Sequence, residues 1–172
     1  MDDGRWVPCI CAEQKERQQV LDVSGLQALF LDDFWDRVDG PEEVRDFLMS
    51  LARDPRGIIL LWGGDIQMRL IMATSVIMSA RRRLDVVSIG TLVDDRFRDQ
   101  RKKNEHQHTK VPYTLWIRCD FPAKHSWNES TLNDALAGRV EKFTVVTMQD
   151  RWLPVHVSHT PIPLDIFRWR KS

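Results

Sequence analysis

Cysteine and histidine are the residue types with which this chain could hold a metal ion. The candidates are Cys9, Cys11, His106, His108, His125, His156 and His159. None of their spacings is the doubled pair of a structural zinc site, and a single C-x-C is weak evidence for one. His156 and His159 would point to opposite faces of a strand, so they would not hold one ion together. The sequence therefore predicts no metal site and no cofactor.

Acid–base and nucleophilic chemistry have equally little support. His156-Val157-Ser158 has the H-x-S/T form that two-histidine phosphoesterases use twice, but it occurs once here. A lone imidazole lacks the partner that general acid–base catalysis needs. No G-x-S-x-G elbow is present, and Cys119 falls on the apolar face of a predicted strand, where a thiol is inert. We predict no catalytic residue, and the sequence favours the absence of enzymatic activity without deciding it.

Gly63-Gly64 lies between a predicted strand and a predicted helix, which is where phosphate-binding turns occur. Neither G-x-G-x-x-G nor G-x-x-x-x-G-K-S/T is present. Asp65, the predicted cap of the helix, would also repel a phosphate. We therefore expect a tight turn here.

Nine basic residues form the strongest candidate for a binding surface. They are Arg81, Arg82, Arg83, Arg96, Arg98, Arg101, Lys102, Lys103 and Lys110. Cations that pair with phosphates beside an aromatic platform suit nucleic acid, and the same charges suit an anionic membrane surface. Asp94, Asp95 and Asp99 are interspersed, so a solvated loop with internal salt bridges remains an alternative.

Three tryptophans are candidates for an interface. They are Trp116, Trp152 and Trp169. Trp116 is an aromatic on the otherwise polar face of its predicted strand, whereas Trp152 and Trp169 lie near turns and a terminus. A large aromatic in such a place often anchors a protein–protein contact.

Composition places these candidates in an ordinary globular chain. The 172 residues include 42% apolar and 29% charged side chains, which excludes a disordered, collagen-like or membrane-spanning protein. One domain over residues 1–172 is expected, with 94–110 as a long polar loop. Three cysteines suit reduced thiols, and with no targeting segment or transmembrane segment this predicts a cytoplasmic protein.

Apolar periodicity predicts the elements that would position these residues. Helices are expected over the stripe from Leu26 to Val38, from Pro41 to Leu51, from Asp65 to Arg83 and after Ser126. The predicted strands are 58–62, 86–93, 111–121, 143–149, 152–158 and 164–169, with a hairpin at Asp150-Arg151. Helices come first and strands later, which predicts an α+β fold with N-terminal helices on a mostly antiparallel sheet.

Charge is divided unevenly along the chain. Residues 1–60 carry thirteen acidic and seven basic side chains, a balance of −6, and residues 61–172 carry twelve and eighteen, a balance of +6. With no catalytic set, this division and the edge tryptophans predict a non-enzymatic assembly or interaction protein, matrix-like (as in small viral matrix proteins) or adaptor-like. It would bind itself or another protein, and nucleic acid or an anionic surface through the basic stretch. The alternative is a small phosphoesterase or nuclease that uses loop or strand histidines.

Overall fold

The computed structural model describes Lys15, Gln18, Asp22 and residues 34–51, 54–79, 84–94, 114–119, 126–149 and 155–170. Helices with both ends in the described ranges are α1 (Glu42–Ser50), α2 (Ile66–Ser79) and α3 (Ser126–Ala137), with 3-10 turns at Phe34–Asp36 and Leu164–Ile166; residues 89–94 are also helical. The strands are β1 (Val38–Asp39), β2 (Ile58–Trp62), β3 (Leu84–Ser88), β4 (Thr114–Cys119), β5 (Thr144–Met148), β6 (Thr160–Pro163) and β7 (Arg168–Trp169).

Five strands form one sheet in the order β3-β4-β5-β2-β6, and each neighbouring pair is parallel. The predicted antiparallel α+β architecture is therefore wrong. Successive strands in the described ranges are joined by crossovers, as parallel strands require. The α2 helix makes one of these crossovers, from the end of β2 to the start of β3.

The predicted hairpin at Asp150-Arg151 is wrong for the same reason. β5 lies between β4 and β2, and β2 separates β5 from β6. β6 pairs only with β2, at the edge of the sheet, where Pro161 and Pro163 are tolerated. A second, two-stranded sheet is antiparallel and joins β1 to β7 through the pair Val38 and Trp169.

The sheet is covered on both faces, which explains the apolar run in β2. Ile59 and Leu61 point into a core with α1 and α2, while Ile58 and Leu60 point into a second core with α3. Strands buried on both faces read as continuous apolar runs, as in other all-parallel sheets. The strand predicted at 58–62 is confirmed with the same bounds.

Polar residues of β4 do not mark a solvent face. Thr114 and Trp116 have no exposed surface, and the Trp116 indole N–H donates to the hydroxyl of Thr147 at 3.0 Å. The alternation that predicted a half-exposed strand is therefore misleading, because helices cover both sides of this sheet.

The end of one strand and the end of one helix also differ from the predictions. Residues 89–94 are helical, so the strand predicted at 86–93 is confirmed only as far as Ser88. Val38, predicted to end the first helix, lies in β1 and pairs with Trp169. The α2 helix is confirmed over Ile66–Ser79. No helix within the described ranges has the length and apolar character needed to cross a membrane.

Candidate functional site

The turn between β2 and α2 is the most constrained backbone at the carboxyl edge of the sheet. It consists of Gly63, Gly64 and Asp65, which we call the glycine turn. Gly63 has φ +77° and Gly64 has φ +61°, conformations that favour glycine. Open α/β sheets bind their ligands outside the carboxyl ends of the strands, so this turn occupies the place where a ligand site is expected.

Asp65 caps the α2 helix, as the sequence predicts. Its Oδ1 accepts the backbone N–H of Met68 at 2.7 Å, which satisfies one of the free amides of the first helical turn. The Gly63 N–H is also used, because it donates to the carbonyl oxygens of Met148 and Gln149 at 3.2 and 2.9 Å. These contacts fix the turn to the end of β5.

The remaining amide of the glycine turn meets a carboxylate from far along the chain. The N–H of Gly64 donates to Oδ1 of Asp165 at 2.7 Å, across a separation of 101 residues. A Cβ atom on Gly63 would collide with the same carboxylate, and one on Gly64 would lie 3.1 Å from the Cβ of Leu164. The two glycines are therefore needed for their close approach to this segment as well as for their φ angles.

A buried cation lies beneath the glycine turn. Arg69 is 4% exposed, and its Nη1 donates to the carbonyl oxygens of Gly64 and Gly63 at 2.7 and 3.1 Å. Its Nε has no hydrogen-bond partner among the described residues. The guanidinium and the amino end of α2 both place positive potential at the turn, and that potential favours a negative group there.

The segment that carries Asp165 is held at several other points; we call residues 164–170 the closing segment. The indole N–H of Trp169 donates to Oδ2 of Asp65 at 3.2 Å, so Trp169 touches the turn from a second direction. Arg170 pairs with Asp39 at 2.5 Å. The ring of Phe167 packs so closely on Gly40 that a Cβ there would collide with it.

An open cavity of about 510 Å³ lies on the other side of the closing segment. Trp35, Arg45, Phe167 and Arg170 contribute to its walls. Arg45 lies over the Trp35 ring, 5.7 Å from its centroid, and Arg170 pairs with Asp39. Arg45, Asp39 and Arg170 of this cavity thus have partners within its walls.

All nine residues predicted to bind an anion lie outside the described residues. This holds for Arg81, Arg82, Arg83, Arg96, Arg98, Arg101, Lys102, Lys103 and Lys110, and also for Trp152. Their binding role stays a prediction. Of the interface candidates, Trp116 is completely buried and offers no surface to a partner, whereas Trp169 is 37% exposed beside Asp65.

The histidines in the described ranges do not form a catalytic set. Nε2 of His156 lies 3.1 Å from Oε1 of Glu129, both at the surface. Nδ1 of His159 bonds the carbonyl of Val157 at 2.7 Å. No three His, Cys, Asp or Glu side chains converge on one point within the part of the chain that the structure describes.

Asp165 and Arg69 are the site residues that the sequence does not reveal. Asp165 has no motif around it, and its partner is 101 residues away. In the sequence, Arg69 interrupts an otherwise apolar helix. Since a buried arginine needs a partner, this interruption is the signal that could have drawn attention to Arg69. Only the glycine pair itself could be found by its position between a strand and a helix.

The comparisons with known proteins concern the fold. No protein-family model matches the sequence, and no curated protein matches it. Among solved structures, a DNA replication initiation factor aligns with a TM-score of 0.52 at 9% identity, over 72% of this chain and 46% of that one. The replication initiator DnaA bound to AMPPCP and single-stranded DNA aligns with a TM-score of 0.49 at 10% identity, over 72% and 46%. DnaI aligns with a TM-score of 0.46 at 15% identity, over 86% and 90%.

The fold is thus an α/β fold with a parallel five-stranded sheet, similar to that of a DNA replication initiation factor. The prediction of a matrix-like assembly or adaptor protein is wrong, because the parallel fold is similar to that of part of a DNA replication initiation factor. For the alternative, a small phosphoesterase or nuclease that uses loop or strand histidines, the described residues give no support: His156 lies beside Glu129 at the surface, and His106, His108 and His125 lie outside the described residues. The chain spans less than half of that initiation factor.

Proposed function

We propose that this protein acts on nucleic acid in DNA replication, as a P-loop-fold component of a replication complex. The observation that carries the proposal is the parallel β3-β4-β5-β2-β6 sheet, whose fold is similar to that of part of a DNA replication initiation factor. A protein with this role works in the cytoplasm or wherever the replicating nucleic acid lies.

The nucleic-acid surface belongs to the edge of the sheet opposite the glycine turn. Leu84 and Thr114, the first residues of β3 and β4, are direct partners, so the chain enters both strands at one place. Arg81, Arg82 and Arg83 precede β3 directly in the sequence, and Lys110 precedes β4 by four residues. Parallel strands bring their incoming segments together, which would concentrate these charges into a phosphate-binding surface.

Nucleotide turnover is not part of the proposal. The three residues between β2 and α2 include neither the lysine nor the hydroxyl of a G-x-x-x-x-G-K-S/T loop. Those two side chains contact the phosphates and the magnesium ion in such loops. The glycine turn has the location of a phosphate site but only its backbone donors.

The test is direct binding of fluorescently labelled single-stranded and double-stranded DNA, read by anisotropy over a series of salt concentrations. We expect affinity to fall steeply between about 50 and about 200 mM salt, with a slope on logarithmic axes of about 0.9 per neutralised duplex phosphate. Arg82→Gln with Arg83→Gln should lower that slope by about 2.

A matched control removes the same charge elsewhere. Arg56 and Arg168 are exposed and lie outside the basic stretch, so Arg56→Gln with Arg168→Gln should leave the slope unchanged. Equal losses in the two double variants would show a diffuse charge effect and contradict the proposed surface. No binding of either DNA at low salt would overturn the function itself.

A further inference from the structure

The cavity beside the closing segment has a buried floor and an exposed rim. Val38 is 4% exposed and Phe167 is 6% exposed, so these two side chains belong to its floor, whereas Glu42, Asp46 and Met49 stand at the surface. We call this cavity of about 510 Å³ the α1 groove. Binding sites for small groups have volumes of roughly 300–1,000 Å³, so the groove is large enough to hold a side chain of a partner.

One face of α1 supplies the outer wall of the α1 groove. Glu42, Asp46 and Met49 follow one another at helical spacing, which puts them on a single stripe of the helix, and all three line the groove. Met49 exposes 48% of its surface there. The wall therefore presents two carboxylates, one turn apart, followed by a flexible apolar side chain.

Both basic side chains of the α1 groove already have partners. Arg45 is three residues from Glu42 on the same helix, but its guanidinium lies over the Trp35 ring, 5.7 Å from the centroid. Arg170 is paired with Asp39. Neither guanidinium therefore neutralises a carboxylate of α1.

The carboxylates of Glu42 and Asp46 are the charges that remain in the α1 groove. Neither has a hydrogen bond or an ion pair among the residues that the structure describes. The helix dipole favours an acid in the first turn, which accounts for Glu42, but Asp46 lies one turn further on. Like charges at this spacing repel each other, and a positive group between them would relieve that repulsion.

We propose that the α1 groove binds a basic segment of a partner protein, with an arginine or lysine side chain held between Glu42 and Asp46. Charge complementarity selects a cation, because the two cations of the groove itself are committed elsewhere. A long basic side chain also has an alkyl stem, which packs along apolar surface while its charged end meets the carboxylates. An apolar residue next to it in the partner contacts Met49, whose thioether side chain adapts to different shapes.

This surface is separate from the one proposed to bind DNA, so the inference goes beyond the proposed function. The α1 groove is built by α1, β1 and the closing segment, whereas the residues assigned to DNA precede β3 and β4. The chemistry is also opposite, since DNA requires cations on the protein and the groove offers anions. Loss of one binding activity should leave the other in place.

The test is the fluorescence anisotropy of a short labelled peptide in which arginine and leucine alternate, titrated with the full chain. Glu42→Gln with Asp46→Asn removes both charges and keeps the side-chain shapes. We expect this double variant to bind the peptide about 3- to 10-fold more weakly, which corresponds to the loss of two exposed ion pairs. A peptide with citrulline in place of arginine keeps the shape without the charge and should bind the parent protein more weakly by a similar factor.

A matched control removes two carboxylates outside the α1 groove. Glu43→Gln with Glu141→Gln makes the same change of charge at exposed positions, and it should leave the peptide affinity within about twofold of the parent value, because distant exposed charges are screened by salt. The two double variants should bind DNA alike. Equal losses of peptide affinity in both would show a general attraction between charges and overturn the proposal, as would a parent protein that does not bind the peptide.

Heteronuclear NMR locates the bound peptide, and competition identifies the occupant. The indole N–H signal of Trp35, which lines the α1 groove, should shift when the peptide is added to the parent protein and should shift less in Glu42→Gln with Asp46→Asn. An unchanged Trp35 signal at saturation would overturn the proposal. Displacement of the peptide by an equal concentration of spermine would overturn the assignment to a peptide, and self-association that the same double variant abolishes would assign the groove to a second copy instead.

Discussion

Arg69 and Arg139 are both buried, at opposite edges of the same parallel sheet. Arg139 has no exposed surface, and it donates through Nε to the Thr144 hydroxyl at 2.7 Å and through Nη2 to the Phe143 carbonyl at 3.3 Å. Arg69 donates through Nη1 to the glycine turn, and its Nε has no partner among the described residues. At the amino edge the guanidinium is built into the core.

The two buried arginines differ in what their hydrogen bonds hold in place. Burial lowers the pKa of Arg139 to about 10, and the nearby Asp85 charge works against that decrease. Its donors join the end of α3 to the start of β5, so they serve the fold. Arg69 instead lies under a surface turn, where its Nη1 donates to the carbonyl oxygens of Gly63 and Gly64.

The largest effect is expected at Arg139. Arg139→Ala removes both side-chain donors and leaves a cavity, so the free energy of unfolding should fall by about 3–5 kcal/mol. Urea denaturation followed by far-UV circular dichroism measures it. Arg139→Met keeps most of the volume and should recover part of the loss; an Ala variant as stable as the parent would show that the arginine is not needed for packing.

A smaller loss is expected at Arg69. Arg69→Met preserves the apolar stem and removes the donors to the carbonyl oxygens of Gly63 and Gly64. The free energy of unfolding should fall by about 1–2 kcal/mol. Gln67 is exposed on the same helix, so Gln67→Met is the control and should change stability by less than about 0.5 kcal/mol. If Arg69→Met cost as much as Arg139→Ala, the distinction between the two edges would be lost.

Two tryptophans extend the comparison to aromatic side chains. Trp116→Phe loses a buried hydrogen bond to Thr147 and leaves a small void, which should cost about 1–2 kcal/mol. Trp169→Phe loses an exposed bond to Asp65 and should cost less than about 0.5 kcal/mol. Chemical denaturation of the two variants side by side gives both values, and a reversed order would contradict the assignment of Trp116 to the core.

The last and smallest effect concerns pH: we expect the contribution of Arg139 to stability to stay constant between about pH 6 and about pH 9. Because the folded state binds the Arg139 proton less tightly than the unfolded state, the contribution of Arg139 to stability rises with pH. That rise is confined to the interval between about pH 10 and the ordinary pKa of arginine, since below it both states are protonated. The stability difference between the parent protein and Arg139→Met should therefore be equal at about pH 6 and about pH 9. A marked change over this range would mean that burial lowers the pKa much further.

Local patterns predicted the elements better than the architecture. The apolar run at 58–62, the Asp65 cap and the helix after it are confirmed, because each depends on residues close together in the sequence. The pairing of strands is a long-range property. β2 joins β5, which starts 86 residues after it, and nothing local to either strand specifies a parallel partner.

The errors in the architecture have two physical origins. The prediction of an antiparallel sheet rests on helices that precede strands and on a hairpin at Asp150-Arg151, but β4 and β2 occupy both sides of β5, so no hairpin partner can join it. The prediction of a polar face on β4 is wrong because helices cover both sides of the sheet, and Thr114 and Trp116 are buried there.

By itself the sequence determined the strand at 58–62, the glycine turn after it and the capped α2 helix, because glycine φ preferences, capping and apolar periodicity act over a few residues. It also established that no complete catalytic or nucleotide-binding motif is present. Only the tertiary structure decided that the strands are parallel, that Trp116 is core, and that Asp165 meets Gly64 across 101 residues. Such contacts follow from the packing of whole layers, and no short stretch of sequence contains that information.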